Sequence, residues 1–539
     1  MRDANLGRRR LLAMLARGGV AGITFHGAYA LQASGLTGRR RVEAQPRFTS
    51  DPFSLGVAAG EPAADGFVIL TRLAPQPLAP RGGMDPVPVR VSWEVAEDEG
   101  FRTVVRRGEA IAHPELAHAV HVEVEGLRPQ RVYHYRFAAG EVRSPAGRAL
   151  TLPIAGAPLD RVRFVVAGCQ HYEEGLYTAW SHIAREAPDF VFHYGDYIYE
   201  GADTGGRPRQ LYGQPFQPAR RHGTPEPYSL DEYRQRYALY KSDPDLQAAH
   251  AASAFFTSFD DHEVDNNWAG LIDQDGTPPE IFALRRAAAF QAFYEHMPLR
   301  SASLPRNGHM QMYRAARFGD LMNGWFLDTR QYRSDQPCGD GVKAYCADIS
   351  APTRTMMGAS QESWLYRGLG QTRARWNLIA QQVMMMHLDA RRDPLAAERQ
   401  YATDTWSGYL AGRERLLSRI DDLGLRNVAI VTGDSHQHFV GDVKRETAPG
   451  KIVASEFLAT SISSGADGTG DMPHTALWLR NNDHLKLMSN RRGYASCTVD
   501  RDVWRSDMCI VDTTQQPGGR KSVGASFVLE HGSRGVRTG

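Results

Sequence analysis

What most constrains this chain is a series of short apolar runs that end in potential ligands. VRFVVAG (162–168), DFVFHYGD (189–196), AFFTSFDDHE (254–263), NGWFLDTR (323–330), WNLIAQQVMM (376–385), NVAIVTGDSH (427–436) and IVASEFLATS (452–461) read as strands. Helical stretches such as ALRRAAAFQAFYEHM (283–297) and RERLLSRIDDLG (413–424) lie between several of them. Strands that are apolar nearly throughout are buried on both faces. The pattern predicts an α/β class with at least one largely buried sheet.

Five of these runs end in groups able to bind metal or protons. The first leads to Cys169 and Gln170, and the second to Asp196, Tyr199 and Glu200. The third carries Asp260, Asp261, His262 and Glu263, then Asp265, Asn266 and Asn267. The fourth ends near Asp328, and the sixth at Asp434 and His436. Ligands in open α/β sheets gather beyond the carboxyl ends of strands, so groups far apart in sequence converge. Gly168, Gly195 and Gly433 let the backbone turn sharply just before a ligand. Phosphate ester hydrolysis needs such a set. Two metals sharing a carboxylate clamp phosphoryl oxygens and hold a hydroxide in line with the leaving group, and a nearby His protonates that group.

At 539 residues the chain is too long for one ordinary domain. Residues 1–30 read as a twin-arginine export signal. Arg8, Arg9 and Arg10 precede Leu11, Leu12, Met14 and Leu15, a modest apolar stretch runs to Phe25, and Ala28-Tyr29-Ala30 offers a cleavage site. The apolar run falls far short of the roughly 20 residues of a spanning helix, so no transmembrane anchor is expected. Residues 31–50 read as a linker. From 51 to 155 short alternating strands (FVILTRL, VRVSWEV, AVHVEVEGL, VYHYRFAA) suggest a small β-sandwich. Within it GLRPQRVYHYRF resembles the turn and strand of a fibronectin-type domain. Residues 156–515 read as the catalytic domain, 201–228 within them as a long loop, and 516–539 as a tail. Lys plus Arg number 63 against 61 Asp plus Glu, which gives no electrostatic case for nucleic acid or an anionic membrane.

The ordered motifs FSLGVAAGEPAADGFVILTRL, AGCQHYEEGLYTAW, VFHYGDYIYEG, FDDHEVDNNWAG, RRAAAFQAFYEHMPLR, FLDTRQYRSDQ, WNLIAQQ, VTGDSH, EFLATSISSG and RRGYASCTV span about residues 53–512. In these the chain resembles the alkaline phosphatase D family of the calcineurin-like metallophosphoesterases. The resemblance implies a sandwich of two mixed β-sheets flanked by helices, after the small β-sandwich. It implies an exported enzyme, periplasmic or secreted, that hydrolyses phosphate monoesters and diesters by attack of a metal-activated hydroxide. Asp196 would bridge Fe3+ and Ca2+. Cys169, Tyr199 and His436 would complete the ferric side, and Asp261 and Asp434 the calcium side. His262 would act as general acid or stabilise the transition state, with Asn266 touching metal or phosphate. The wider superfamily has D-x-H, G-N-H-E and G-H-x-H motifs. Here Ala167 and Cys169, Asp261 and Asp434 stand at variant positions, which argues against an ordinary two-zinc or two-manganese site. The donor types agree: thiolate, phenolate and imidazole favour a transition metal, and all-oxygen surroundings favour a hard cation.

Other readings stay open at this level. One is a phospholipase D-like diesterase on lipid or wall teichoic acid. Another is a cysteine hydrolase using Cys169 with His171 or His262, and a third is a non-catalytic exported binding protein. Asp260 reads as a local cap or ion pair. Asp328 with Arg330 and Arg333 reads equally as a structural pair or a site edge. Arg207, Arg209, Arg220 and Arg221 read as a solvated loop, and Ser461, Ser463, Ser464 and Gly465 receive no chemistry. Of the five cysteines, Cys338 and Cys346 are placed to pair across a loop and Cys497 and Cys509 across neighbouring strands, leaving Cys169 odd.

Overall fold

A computed structural model describes residues 42–448 and 450–539. The expected export signal and the first part of the expected linker lie outside the described residues. The architecture is the expected α/β sandwich of two mixed sheets. In a ten-stranded sheet the strands Arg161–Ala167, Phe190–His193 and Ala254–Thr257 run parallel and adjacent. In a seven-stranded sheet Met322–Phe326, Trp376–Ala380, Val428–Thr432 and Ile452–Leu458 do the same.

The apolar runs explain the layering. Strand side chains alternate between faces, so each run feeds two cores. Phe164 and Val166 point between the sheets with Phe190, Phe192, Phe326, Leu378, Val431 and Phe457. Val165, Ala167 and Val191 point outward, beneath the helices Leu230–Lys241 and Pro279–His296. The second sheet turns Val428 and Ile430 to its own helices, Gly358–Gln371 and Leu410–Asp422. Phe164 stacks on Phe190 at 4.7 Å, a contact worth about 0.5–1.5 kcal/mol beyond area burial.

The N-terminal β-sandwich is not set apart from the rest. One layer, Val104–Ala112, Val89–Ala96 and Val132–Ala139, packs across a core of Val91, Val95, Tyr135 and Phe137. The facing strands Val57–Ala63, Gly66–Arg72 and Ala119–Val124 belong to the ten-stranded sheet, where Ala59 pairs with Ala254 and Gly60 with Phe255. Gly60 permits this, since a Cβ there would lie 2.4 Å from the Pro298 carbonyl oxygen.

Two further expectations are corrected. The stretch read as a tail supplies Lys521–Glu530 and Arg537–Thr538, which extend the ten-stranded sheet at its edge. Cys338 and Cys346 form a disulfide, but Cys497 and Cys509 are both free. Cys497 pairs across the strands with Ser506, three residues from Cys509. The odd offset turns the two thiols to opposite faces, one between the sheets and one under the helices. The long loop also contains a short hairpin, Arg209–Leu211 with Gln214–Phe216. Among the described residues, no helix is long and apolar enough to cross a membrane.

Candidate metal centre

The three parallel strands of the ten-stranded sheet deliver Cys169, Asp196 with Tyr199, and Asp260 to Glu263 to one edge. Val428–Thr432 brings Asp434 and His436 from the other sheet. The turns after the strands are tight. Cys169, Asp196, Asp434 and His436 all hold positive φ, between 50° and 66°. Left-handed backbone at non-glycine residues costs about 1–3 kcal/mol each and clusters at functional sites. Gly195 has φ 131° and packs so closely that a Cβ would lie 2.4 Å from the Asp260 amide nitrogen.

These turns place the donors together around Asp196. Its Oδ2 accepts from the Cys169 thiol at 3.3 Å and from the Tyr199 hydroxyl at 2.7 Å. The Tyr199 oxygen is 2.9 Å from His436 Nε2, which lies 4.0 Å from Asp196 Oδ2. Donor atoms of Cys169, Asp196 and His436 all lie within 4.8 Å of one another. The same holds for Asp196, Asp260, Asp261 and Asp434, and for Asp196, Asp261 and His262. Asp196 belongs to all three groups. On its two sides sit a thiol–phenol–imidazole set and an all-carboxylate set.

The carboxylates are short of partners. Asp196 Oδ1, Asp260 Oδ2 and Asp261 Oδ1 are buried and accept no hydrogen bond, and burying such groups unpaired costs free energy. Burial, then the neighbouring acids, also drives protons onto Asp196, Asp260 and Asp434, whereas at Asp261 Arg330 and His262 outweigh burial and hold the carboxyl well below its usual range. The Asp196 carboxyl is pushed up to about 7 by burial, with Asp261 adding to it against His262. Asp434 is raised by burial and Asp260, and the Cys169 thiol by burial and Asp196. Multivalent cations meet both needs, supplying the missing partners and letting the ligands ionise. The donor set therefore fits metal ions. His436 suits ligation as well, since burial and then Arg492 push its imidazole down to about 3, leaving it neutral.

His262 lies at the rim with Nδ1 2.7 Å from Glu200 Oε2. Burial opposes its charge, yet Glu200, Asp261 and Asp196 together raise it well above the usual imidazole range. Its ring lies tilted against that of Tyr199, with centroids 4.1 Å apart. Asn266 is placed differently. Its side-chain amide donates to Gln274 at 2.7 Å, while its backbone N–H holds Glu200 Oε1 at 3.0 Å.

Several residues at the site take parts that sequence reasoning does not assign. Asp260 does pair with Arg330, as an ion pair, but it also joins the acidic group. Arg330 is fully buried among Asp260, Asp404 at 2.8 Å, Asp434 at 3.4 Å and Asp261 at 3.6 Å. Nothing in the sequence singles out Asp404. Asp328 instead accepts the backbone N–H groups of Arg330 and Gln331. Glu263 joins two turns by accepting from Asp196, Tyr197 and Asp260 backbone N–H groups at 2.6–3.2 Å. The doubled acid at 260–261 and the acid–arginine alternation at 328–333 are the available signals. The loop arginines are committed to structure: Arg209 pairs with Glu174, Arg220 with Asp243 and Arg221 with Asp203.

The family described as "PhoD-like phosphatase" matches residues 164–508, and "PhoD-like phosphatase, N-terminal domain" matches residues 39–153. Alkaline phosphatase D of Bacillus subtilis (strain 168) is 44% identical over 504 residues, covering 93% of this chain and 84% of the relative. A solved structure of PhoD superposes with TM-score 0.88 at 44% identity, over 92% of this chain and 93% of that one. A purple acid phosphatase from yellow lupin (Lupinus luteus) seeds shares the fold, with TM-score 0.54 at 12% identity over 88% and 74% of the two chains.

Proposed function

The chain belongs to the PhoD-like phosphatase family, and on that premise we propose that it hydrolyses phosphate monoesters and diesters at the centre built around Asp196, outside the cytoplasm. The observation that carries this reading is the position of Asp196 between two donor sets of different chemistry. We assign Fe3+ to Cys169, Asp196, Tyr199 and His436. Ca2+ falls to Asp196, Asp261 and Asp434, with Asp260 beside them. A thiolate, a phenolate and an imidazole suit a transition metal, and clustered carboxylates a hard cation. The metal ions supply Lewis acidity toward the phosphoryl oxygens and an activated water.

The chain's own residues do the rest. Glu200 keeps His262 protonated and fixes its Nδ1, so that Nε2 remains to give a proton to the departing alcohol. Arg330 balances four carboxylates without occupying the sulfur-bearing side. Asn266 is assigned to orienting Glu200 through its backbone, alongside any contact with phosphate. The cysteine-hydrolase alternative loses support here. A nucleophilic thiol needs a lowered pKa, and burial and then Asp196 push that of Cys169 up. Export rests on the twin-arginine pattern of residues 1–30, with the twin-arginine machinery as partner. That route carries folded proteins with metals already in place.

The test is a rate comparison of metal-replete and chelated protein on an aryl phosphate monoester, a bis-aryl diester and phosphatidylcholine. Metal-dependent turnover of the first two is expected. Preference for the lipid would assign a phospholipase-like role instead, and undiminished activity after complete metal removal would sink the proposal.

A further inference from the structure

Tyr199 is held on three sides. Its ring lies between the imidazoles of His262 and His171, at centroid distances of 4.1 and 4.5 Å. Its oxygen lies 2.8 Å from the hydroxyl of Ser464. Ser464 is fully buried. Its Oγ accepts the backbone N–H of His171 at 3.1 Å and lies 2.7 Å from the carbonyl oxygen of Cys169. One hydroxyl therefore touches two of the assigned ferric-side residues and the neighbour whose ring packs against one of them.

The loop carrying Ser464 is fixed from outside the centre. Arg492 and the Ser461 hydroxyl both donate to the Ser464 carbonyl, and the Gly465 N–H donates to Glu174 at 2.6 Å. The hydroxyl thus presents a fixed oxygen with one rotatable proton. His171 fills one lone pair, and the proton has two acceptors in reach, the Cys169 carbonyl and the Tyr199 oxygen. The Tyr199 hydroxyl itself has Asp196 Oδ2 as acceptor. A tyrosine oxygen that ligates a cation carries no proton and more negative charge than a carbonyl. Charge-assisted hydrogen bonds are shorter and roughly twice as strong as neutral ones.

We propose that Ser464 is a positioning residue that donates a hydrogen bond to the Tyr199 oxygen, fixing that oxygen and setting its donor strength toward the metal. This rests on the reading of Tyr199 as a ligand of a ferric ion. Ser463 provides the control. It is equally buried in the same loop, but its hydroxyl donates to the His171 carbonyl at 2.9 Å, not to Tyr199.

The experiment compares visible spectra and iron content of the iron-loaded wild type, Ser464→Ala and Ser463→Ala. A hydrogen bond stabilises the filled phenolate orbital, so removing it lowers the energy of the tyrosinate-to-iron transition. Ser464→Ala is expected to keep its iron and move the band to longer wavelength, with Ser463→Ala leaving it in place. A band unmoved in Ser464→Ala, or moved equally in both variants, overturns the proposal. Should Ser464→Ala lose its iron or fail to fold, resonance Raman of the wild type in H2O and D2O reads the same bond. An isotope shift in the iron–tyrosinate modes is expected, and no shift overturns the proposal. An iron-loaded wild type with no such band at all would instead remove the Tyr199 assignment on which the proposal stands.

Discussion

His262 Nδ1 and Glu200 Oε2 lie 2.7 Å apart at the rim of the metal centre. The pair joins the turn after Phe190–His193 to the turn after Ala254–Thr257. If Glu200 serves to keep His262 a proton donor, its loss should matter most where the leaving group most needs a proton. Glu200→Gln is expected to slow hydrolysis of alkyl phosphates by roughly 10–100-fold, and His262→Ala by about 100-fold or more, within the range of general acid catalysis. Aryl phosphates should suffer less. Equal losses on alkyl and aryl esters would remove His262 from the acid role.

Arg330 is a buried guanidinium facing Asp260, Asp261, Asp404 and Asp434. Removing one partner of a buried ionic cluster costs about 3–5 kcal/mol. Arg330→Met should therefore destabilise the metal-free protein by that order in denaturant unfolding. Added calcium should recover more stability in the variant than in the wild type, because it meets the same carboxylates. A calcium response smaller than the wild type's would mean that Arg330 does not share ligands with the cation.

The Cys338–Cys346 disulfide braces the outer side of the acidic group. Asp340, inside its loop, accepts from the Asn267 side chain at 2.5 Å, and the Asn267 N–H holds Asp261 Oδ2 at 2.8 Å. The cysteines stand 8 residues apart, and closing so short a loop stabilises by about 2–3 kcal/mol in the chain-entropy picture. The double variant Cys338→Ser/Cys346→Ser should unfold at lower denaturant and bind calcium more weakly in a titration. An unchanged calcium affinity would confine the disulfide to global stability.

Asp421 receives Lys451 at 2.6 Å, Arg445 at 3.0 Å and Arg534 at 3.1 Å. The Lys451 contact first, with the arginines, lowers its carboxyl to about 2. The folded value lies below the unfolded one, so the stabilisation is present above about pH 4 and fades as pH falls through 2. Asp421→Asn should cost roughly 1 kcal/mol at pH 7, the scale of surface ion pairs. The difference from wild type should shrink below pH 4. A gap that persists unchanged at pH 3 would mean that the loss is not one of charge.

The convergence of the donors was legible in the sequence where local pattern carried it. Cys169, Asp196, Asp261, Asp434 and His436 each follow an apolar run closely, and sheet topology brings run ends together. Asp260 was not legible. The doubled acid cannot say which oxygen turns inward, and its partner Arg330 lies 70 residues away. Ser464 stands 265 residues from Tyr199, among serines that the sequence gives no reason to link to a metal. The union of the N-terminal strands with the catalytic sheet was hidden for a related reason. Val57–Ala63 pairs with the adjacent Gly66–Arg72 on one side and with the distant Ala254–Thr257 on the other, and pairing across such a distance leaves no local mark. Lys521–Glu530 reads as a tail because its burial is sparse, with Phe527 and Leu529 its deeply buried side chains.

If Asp196 joins two sites of unlike chemistry, the purified, catalytically active protein should hold two kinds of metal, which elemental analysis reads. Iron together with calcium is expected, with the iron lost from Cys169→Ser and both metals depleted in Asp196→Ala. A wild-type protein that is fully active with zinc or manganese as its only metals would contradict it.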